Sequence, residues 1–131
     1  MRKILFWISA SAALIISQIA MAETVKIGFV TTLTGGAGAI GNDMRDAVEL
    51  ALDHLGRKMA GSDVKMFYED DTFKPDVGKQ KTEKLVKKDK VHFVTGYIWS
   101  HVLLASRNSV VGKGPFMITS NAGPGPVAGK L

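Results

Sequence analysis

Three groups of residues in this 131-residue chain have types and spacings that could do chemistry. The first is Gly36-Ala37-Gly38-Ala39-Ile40-Gly41, formally G-x-G-x-x-G. In a dinucleotide site such glycines let the backbone approach a pyrophosphate at a helix N-terminus. There the first glycine follows its strand almost directly, whereas residues 32–35 intervene here. The nearest acids, Glu69-Asp70-Asp71, come about 30 residues after the motif begins, later than the ~20 expected of a ribose ligand. The glycines therefore read better as freeing a loop to bend over a pocket. A nucleotide-dependent enzyme using the loop at 36–41 stands as the alternative of another class.

The second group is Gly96-Tyr97-Ile98-Trp99-Ser100, in which an apolar strand delivers two large aromatics and a hydroxyl to the head of a helix. Ser100 is open to two readings. Its hydroxyl can cap that helix by accepting from a backbone N–H. With the free amides nearby it can instead hold a carboxylate, which a helix N-terminus favours.

The third group is titratable. Glu69, Asp70 and Asp71 lack EF-hand spacing and read as a solvated loop or a helix cap. His54, His92 and His101 show no metal-ligand spacing, and no Ser/His/Asp order can be argued from them. Lys79, Lys81, Lys84, Lys87, Lys88 and Lys90 are broken by Glu83 and Asp89, with no arginine or aromatic interleaved. That pattern is a solvated helix face and implies no nucleic-acid partner. The absence of cysteine excludes disulfides, thiolate metal sites and a thiol nucleophile, and no cofactor is implied.

These groups need elements to position them. Residues 25–31 read as a buried strand rich in β-branched residues. After the loop at 32–41, Asn42 or Asp43 is expected to cap a helix to about residue 55. Its apolar positions Met44, Ala47, Val48, Ala51, Leu52 and Leu55 form one helical face. Further strands are expected at 64–69, 90–95 and 115–119. Helices are expected at 76–88, behind Pro75 and with Gly78 as an internal cost, and at 101–111. The β-α-β-α-β-α-β order predicts an α/β fold, an open parallel sheet with helices on both faces. In such sheets ligands bind beyond the carboxyl ends of the strands, where the loops at 32–41, 70–74, 96–100 and 119–124 gather. The last strand lacks closing helices, so a larger protein is expected to continue from it.

Residues 1–22 stand apart. Arg2 and Lys3 precede a mostly apolar run, and Ala20-Met21-Ala22 supplies an A-x-A cleavage site. Ser9, Ser11, Ser17 and Gln18 interrupt the run, which is shorter than the roughly 20 residues of a membrane span. The segment reads as a cleavable signal peptide, leaving residues 23–131 as the mature part. Part of the net charge of +5 is thus an export signal. The 46% hydrophobic and 22% charged composition excludes wholesale disorder.

With an export signal in front, the segments VKIGFVTTLTGGAGAIGNDMRDAVELALDHLG, FYEDD, VHFVTGYIWS and PFMITSNAGPGPVAG together resemble the periplasmic solute-binding proteins of ABC importers. The likeness is to the leucine/isoleucine/valine-binding type, with the type I periplasmic-binding-protein fold, and covers only the N-terminal lobe of a member. The resemblance implies two lobes closing over a solute, delivery to an ABC permease, and no enzymatic activity. It implies that Ser100 and its amide hold the solute's carboxylate, with Asn121, Ala122 and Gly123 beside its polar end. Ile40 falls where members place an aromatic wall, and Tyr97, Ile98 and Trp99 lie beside the pocket. Members that bind amino acids commonly carry Thr where this chain has Gly123, so an aromatic or other small carboxylate competes with a branched-chain amino acid as solute.

Overall fold

The computed structural model describes residues 23–125, so the signal peptide read at 1–22 lies outside the described residues. The apolar run of β1 (Val25–Thr31) takes the centre of a five-stranded sheet. It pairs in parallel along its whole length with β3 (Ser62–Asp70) and, on its other side, with β4 (Phe93–Thr95). β5 (Phe116–Met117) extends the sheet in parallel beyond β4, and β2 (Lys58–Met59) turns back antiparallel on the start of β3. The order is β2-β3-β1-β4-β5. The expected open, mostly parallel sheet is present, with an antiparallel arm that the periodicity did not predict.

Side chains alternate across a strand, so the two sheet faces have separate partners. On one face lies α1 (Gly38–His54), whose Glu49 accepts a 2.5 Å hydrogen bond from the hydroxyl of Tyr68 on β3. On the other lie α2 (Pro75–Lys84), a π-helical turn (Leu85–Asp89) and α3 (Ser100–Arg107). The core is on this second face: Val30, Leu85, Val91, Val94, Tyr97, Val102, Leu103, Val110 and Ala122 pack as one cluster. Glu69, nearly buried, is ion-paired to Lys81 and Lys84 of α2, so those two lysines dock the helix on the sheet. Opposed pulls set the Glu69 carboxyl: desolvation raises it, and hydrogen bonds from Lys84 and Lys81 prevail and hold it below its ordinary value.

All three expected helices differ in their bounds. The first helix begins at Gly38, not at Asn42 or Asp43, because its opening turn lies directly on the end of β1. A Cβ on Gly41 would sit 1.9 Å from the Thr32 carbonyl oxygen. Asn42, inside the helix, donates from its side-chain amide to the carbonyls of Leu33 (3.0 Å) and Gly38 (2.8 Å). The helix expected over 76–88 leaves α-geometry at Leu85. The widened turn ends at Lys90 with φ +53°, and buries both Leu85 and Val91. The third helix starts at Ser100 and closes at Arg107, short of residue 111. Gly78, a cost by propensity alone, permits α2 to reach α3, since a Cβ there would meet Val102 Cγ1 at 2.3 Å.

Gly41→Ala is therefore expected to destabilise the intact protein by about 1–3 kcal/mol, the cost of forcing one extra carbon into a packed contact. Urea unfolding followed by circular dichroism checks this, and an unchanged midpoint contradicts the close approach.

Candidate functional site

The carboxyl ends of β1, β3, β4 and β5 share one rim, and hydrogen bonds tie their loops together. The Ala122 amide donates to the Tyr97 carbonyl (3.1 Å), and the Thr119 hydroxyl donates to the Ala122 carbonyl (2.7 Å), fixing the loop after β5 against the loop after β4. The Trp99 indole Nε1–H donates to Thr32 Oγ1 (3.0 Å), joining the loop after β4 to the loop after β1. Thr32 in turn donates to Asp71 Oδ1 (2.5 Å), reaching the end of β3. Residues 98–100 and 121–123 thus stand at the same end of the sheet.

The acids that close β3 and follow it organise this rim: Glu69 and Asp70 belong to the strand and Asp71 is buried just beyond it, so they form neither a solvated loop nor a helix cap. Asp71 is fully buried, and its Oδ1 also accepts from the Phe73 amide (2.9 Å). Asp70 accepts from the amides of Leu33 and Thr72 (2.9 Å each) and from the Thr34 hydroxyl (2.5 Å). Desolvation raises the Asp70 carboxyl, but the bonds from Thr34, Leu33 and Thr72 outweigh it and hold it below its ordinary value. The N-cap of α2 is Lys74, without a side-chain cap. These carboxylate bonds bend Thr72 and Phe73 into left-handed backbone (φ +49° and +65°), which non-glycine residues rarely adopt and which concentrates at functional sites.

An aromatic corner results. The Phe73 ring, 48% exposed, stands edge-on to Trp99, with centroids 4.7 Å apart and planes at 86°. His101 completes the group, 5.1 Å from Phe73. Phe73 and His101 escape the apolar periodicities of the sequence. The available signal for Phe73 was Asp70-Asp71 just after a strand, since aspartates bond backbone two residues on and tolerate tight turns.

Each residue singled out from the sequence has a definite place. Ser100 is the first residue of α3, not its cap. Trp99 holds the N-cap position in extended backbone (φ −104°, ψ 128°), and no side chain caps the helix among the described residues. Ser100 is exposed at the first turn, whose leading amides have no partner within the helix. Tyr97 departs from the pocket reading. It is wholly buried, its hydroxyl 2.6 Å from Thr82 Oγ1, and burial pushes the phenol up to about 12. Ile98 is also buried, as is Ala122, whereas Asn121 and Gly123 are exposed. Ile40 stands 46% exposed in the first turn of α1, because Gly38 and Gly41 are helical packing positions, not parts of a flexible loop. Surface hollows of about 390–550 Å³ run along β5 and the outer sides of α2 and α3, and of the rim loops' residues only Thr119 lines one. Two of them lie beside Phe116 of the edge strand, and the third lies among the charged residues Lys79, Glu83, Lys87 and Lys113. Uncapped amides, an exposed hydroxyl and flat rings can together bind a small anion with an apolar body.

A mostly parallel sheet with helices on both faces is an open α/β lobe, the architecture in which ligands, where bound, sit beyond the carboxyl ends of the strands. A model of the periplasmic binding protein family matches residues 24–130, and the chain belongs to that family. The Leu/Ile/Val-binding protein BraC3 of Rhizobium johnstonii is 28% identical over 113 residues, covering 85% of this chain and 30% of that protein. Among solved structures, an ABC transporter substrate-binding protein from Sphaerobacter thermophilus superposes with a TM-score of 0.73 at 32% identity, over 78% of this chain and 28% of its own. The solute-binding protein of an ABC transporter from Rhodopseudomonas palustris BisB5, in complex with 3,4-dihydroxybenzoic acid, gives 0.70 at 29% identity, over 76% and 28%. The chain thus spans under a third of the length of these relatives.

The rim carries a pH signature. Because the Asp70 pKa is lowered in the fold, its bonds contribute stability above its ordinary value of 3.8, and that stability is lost as pH falls through the lower folded value. Asp70→Asn is expected to lower the urea midpoint of the intact protein at neutral pH. The gap from the parent should narrow in acid below about 3.8. A gap independent of pH contradicts the role given to the carboxylate.

Proposed function

We propose that this chain is the N-terminal lobe of an exported, periplasmic solute receptor that hands a small carboxylate to an ABC permease. The observation that carries the reading is the uncapped N-terminus of α3, opening on the exposed Ser100, with the loop of Asn121, Ala122 and Gly123 held to the preceding loop by the Ala122 amide on the Tyr97 carbonyl. The helix end and hydroxyl receive the carboxylate, and Asn121 and Gly123 border the solute's polar end. Trp99 and Ile40 flank its body, and closure of a second lobe completes the site. Membership of the periplasmic binding protein family supports the receptor role, and the likeness to BraC3 supports a branched-chain or related amino acid. The binding role requires no catalytic group, and two of the three glycines that suggested a nucleotide enzyme, Gly38 and Gly41, have a packing role.

A second reading of the solute rests on the aromatic corner. Trp99 and Phe73 meet at 86°, and Gly123 has no hydroxyl to help hold an ammonium. These features favour an aromatic acid, and the likeness to the receptor in complex with 3,4-dihydroxybenzoic acid agrees. Titration of the intact protein with leucine, isoleucine, valine, benzoate and 3,4-dihydroxybenzoate separates the two readings, and a thermal shift with NAD in place of any acid would favour the enzyme.

Ser100→Ala is expected to weaken carboxylate binding by about 1–3 kcal/mol, the worth of a hydrogen bond to a charged group. Titration calorimetry on the intact protein measures it, and unchanged affinity removes Ser100 from the site.

A further inference from the structure

Asp71 is an acidic side chain with none of its surface exposed, and it contacts no solute in the reading above. A buried carboxylate is costly unless its bonds repay the desolvation, so what it holds is informative. Its Oδ1 accepts the Thr32 hydroxyl at 2.5 Å and the Phe73 amide at 2.9 Å. With its hydroxyl hydrogen directed to Asp71, Thr32 Oγ1 has its lone pairs free to accept the Trp99 indole N–H at 3.0 Å. A single carboxylate oxygen therefore governs both rings of the aromatic corner, Phe73 through its own backbone and Trp99 through one intervening hydroxyl. Hydrogen bonds in series polarise one another, and one ending on a charge is stronger than a neutral pair. The rings so held stand at 86°, and the backbone of Phe73 is kept at φ +65°.

We infer that Asp71 is a positioning residue: acting through Thr32, it locks the Trp99 indole and the Phe73 ring into a rigid right-angled wall before any solute arrives. The inference rests on the receptor reading and deepens it by naming what fixes the wall against which the solute lies. A fixed wall spares the entropy of immobilising side chains on binding, and the gain falls on solutes that lie flat against it. Leucine and benzoate share a carboxylate, so a loosened wall separates them while the anion-binding amides do not.

The test uses the intact protein and two readouts. The first is the Trp99 indole N–H resonance, assigned by its disappearance in Trp99→Phe, with its solvent-exchange rate. In the parent it is expected to be protected. In Thr32→Val, which keeps the side-chain shape and removes the relay hydroxyl, it should shift and exchange at least tenfold faster. Thr32→Ser should restore it, and Asp71→Asn, whose amide oxygen accepts without charge, should move it part of the way. The second readout is the affinity ratio of benzoate to leucine, expected to fall on the order of tenfold in Thr32→Val and to recover in Thr32→Ser. An indole signal unchanged in Thr32→Val, or left unrestored by Thr32→Ser, overturns the inference, as does an unchanged affinity ratio. If the parent binds neither acid, the receptor reading fails, and the indole resonance still decides whether Asp71 positions the ring.

Discussion

Two neighbouring carboxylates at the end of β3 hold the rim together. Strand alternation sends them different ways: Asp70 takes the amides and hydroxyl of the loop after β1, and Asp71 turns inward to Thr32 and the Phe73 amide. The β1–β3 ladder, in register from Val25 opposite Val64 to Thr31 opposite Asp70, brings them to the right height, and the Asp71 amide extends it to the Thr31 carbonyl. Loops at strand ends lack a ladder of their own, so their backbone groups must find other partners. Here one pair of side chains supplies them, and the loops after β1 and β4 lie within bonding reach of each other as a result.

The sheet makes this possible by being unequal on its two sides. Beneath α2 and α3 the packing is tight, with Val30, Val94, Val102 and Val110 wholly buried. Glycines 28 and 78 let Leu85 and Val102 come closer than a Cβ would allow. On the α1 side contact is sparse: Leu52 is buried, whereas Leu50 and Leu55 are more than half exposed. Rigidity therefore reaches the rim from the α2/α3 side, through Tyr97 and Ala122 at the foot of the two binding loops. Tyr97 serves the site as a buried footing, bonded to Thr82, and Trp99, two residues on, carries the half-buried ring that meets Phe73.

Much of this fold was legible in the residues, for a physical reason. The strand at Val25–Thr31 and the amphipathic stripe of α1 are strong periodic signals, and βα alternation leaves few topologies. What escaped reading depends on tertiary contact. Nothing local marks Gly41 as helical until Thr32 is known to lie against it. The π-turn at Leu85 answers to a core that must accept both Leu85 and Val91. The β2 arm is two residues long, below the reach of any periodic pattern. At the site, Ser100 and Trp99 drew notice as a hydroxyl and a large ring beside glycine. The acids behind them looked like solvent-facing charge, because burial of Asp71 depends on Thr32, 39 residues away.

The two margins of the sheet are built differently. At one, β2 folds back as a short arm whose Lys58 pairs with Asp63 at 2.5 Å, setting charge and a reversed strand where another strand would otherwise add. At the other, β5 offers backbone groups beside Phe116 and Ile118, both more than half exposed. The two flanks of the sheet are thus unequal among the described residues: one is blunted by charge and a reversed strand, and the other ends on a two-residue strand with large apolar side chains in solvent.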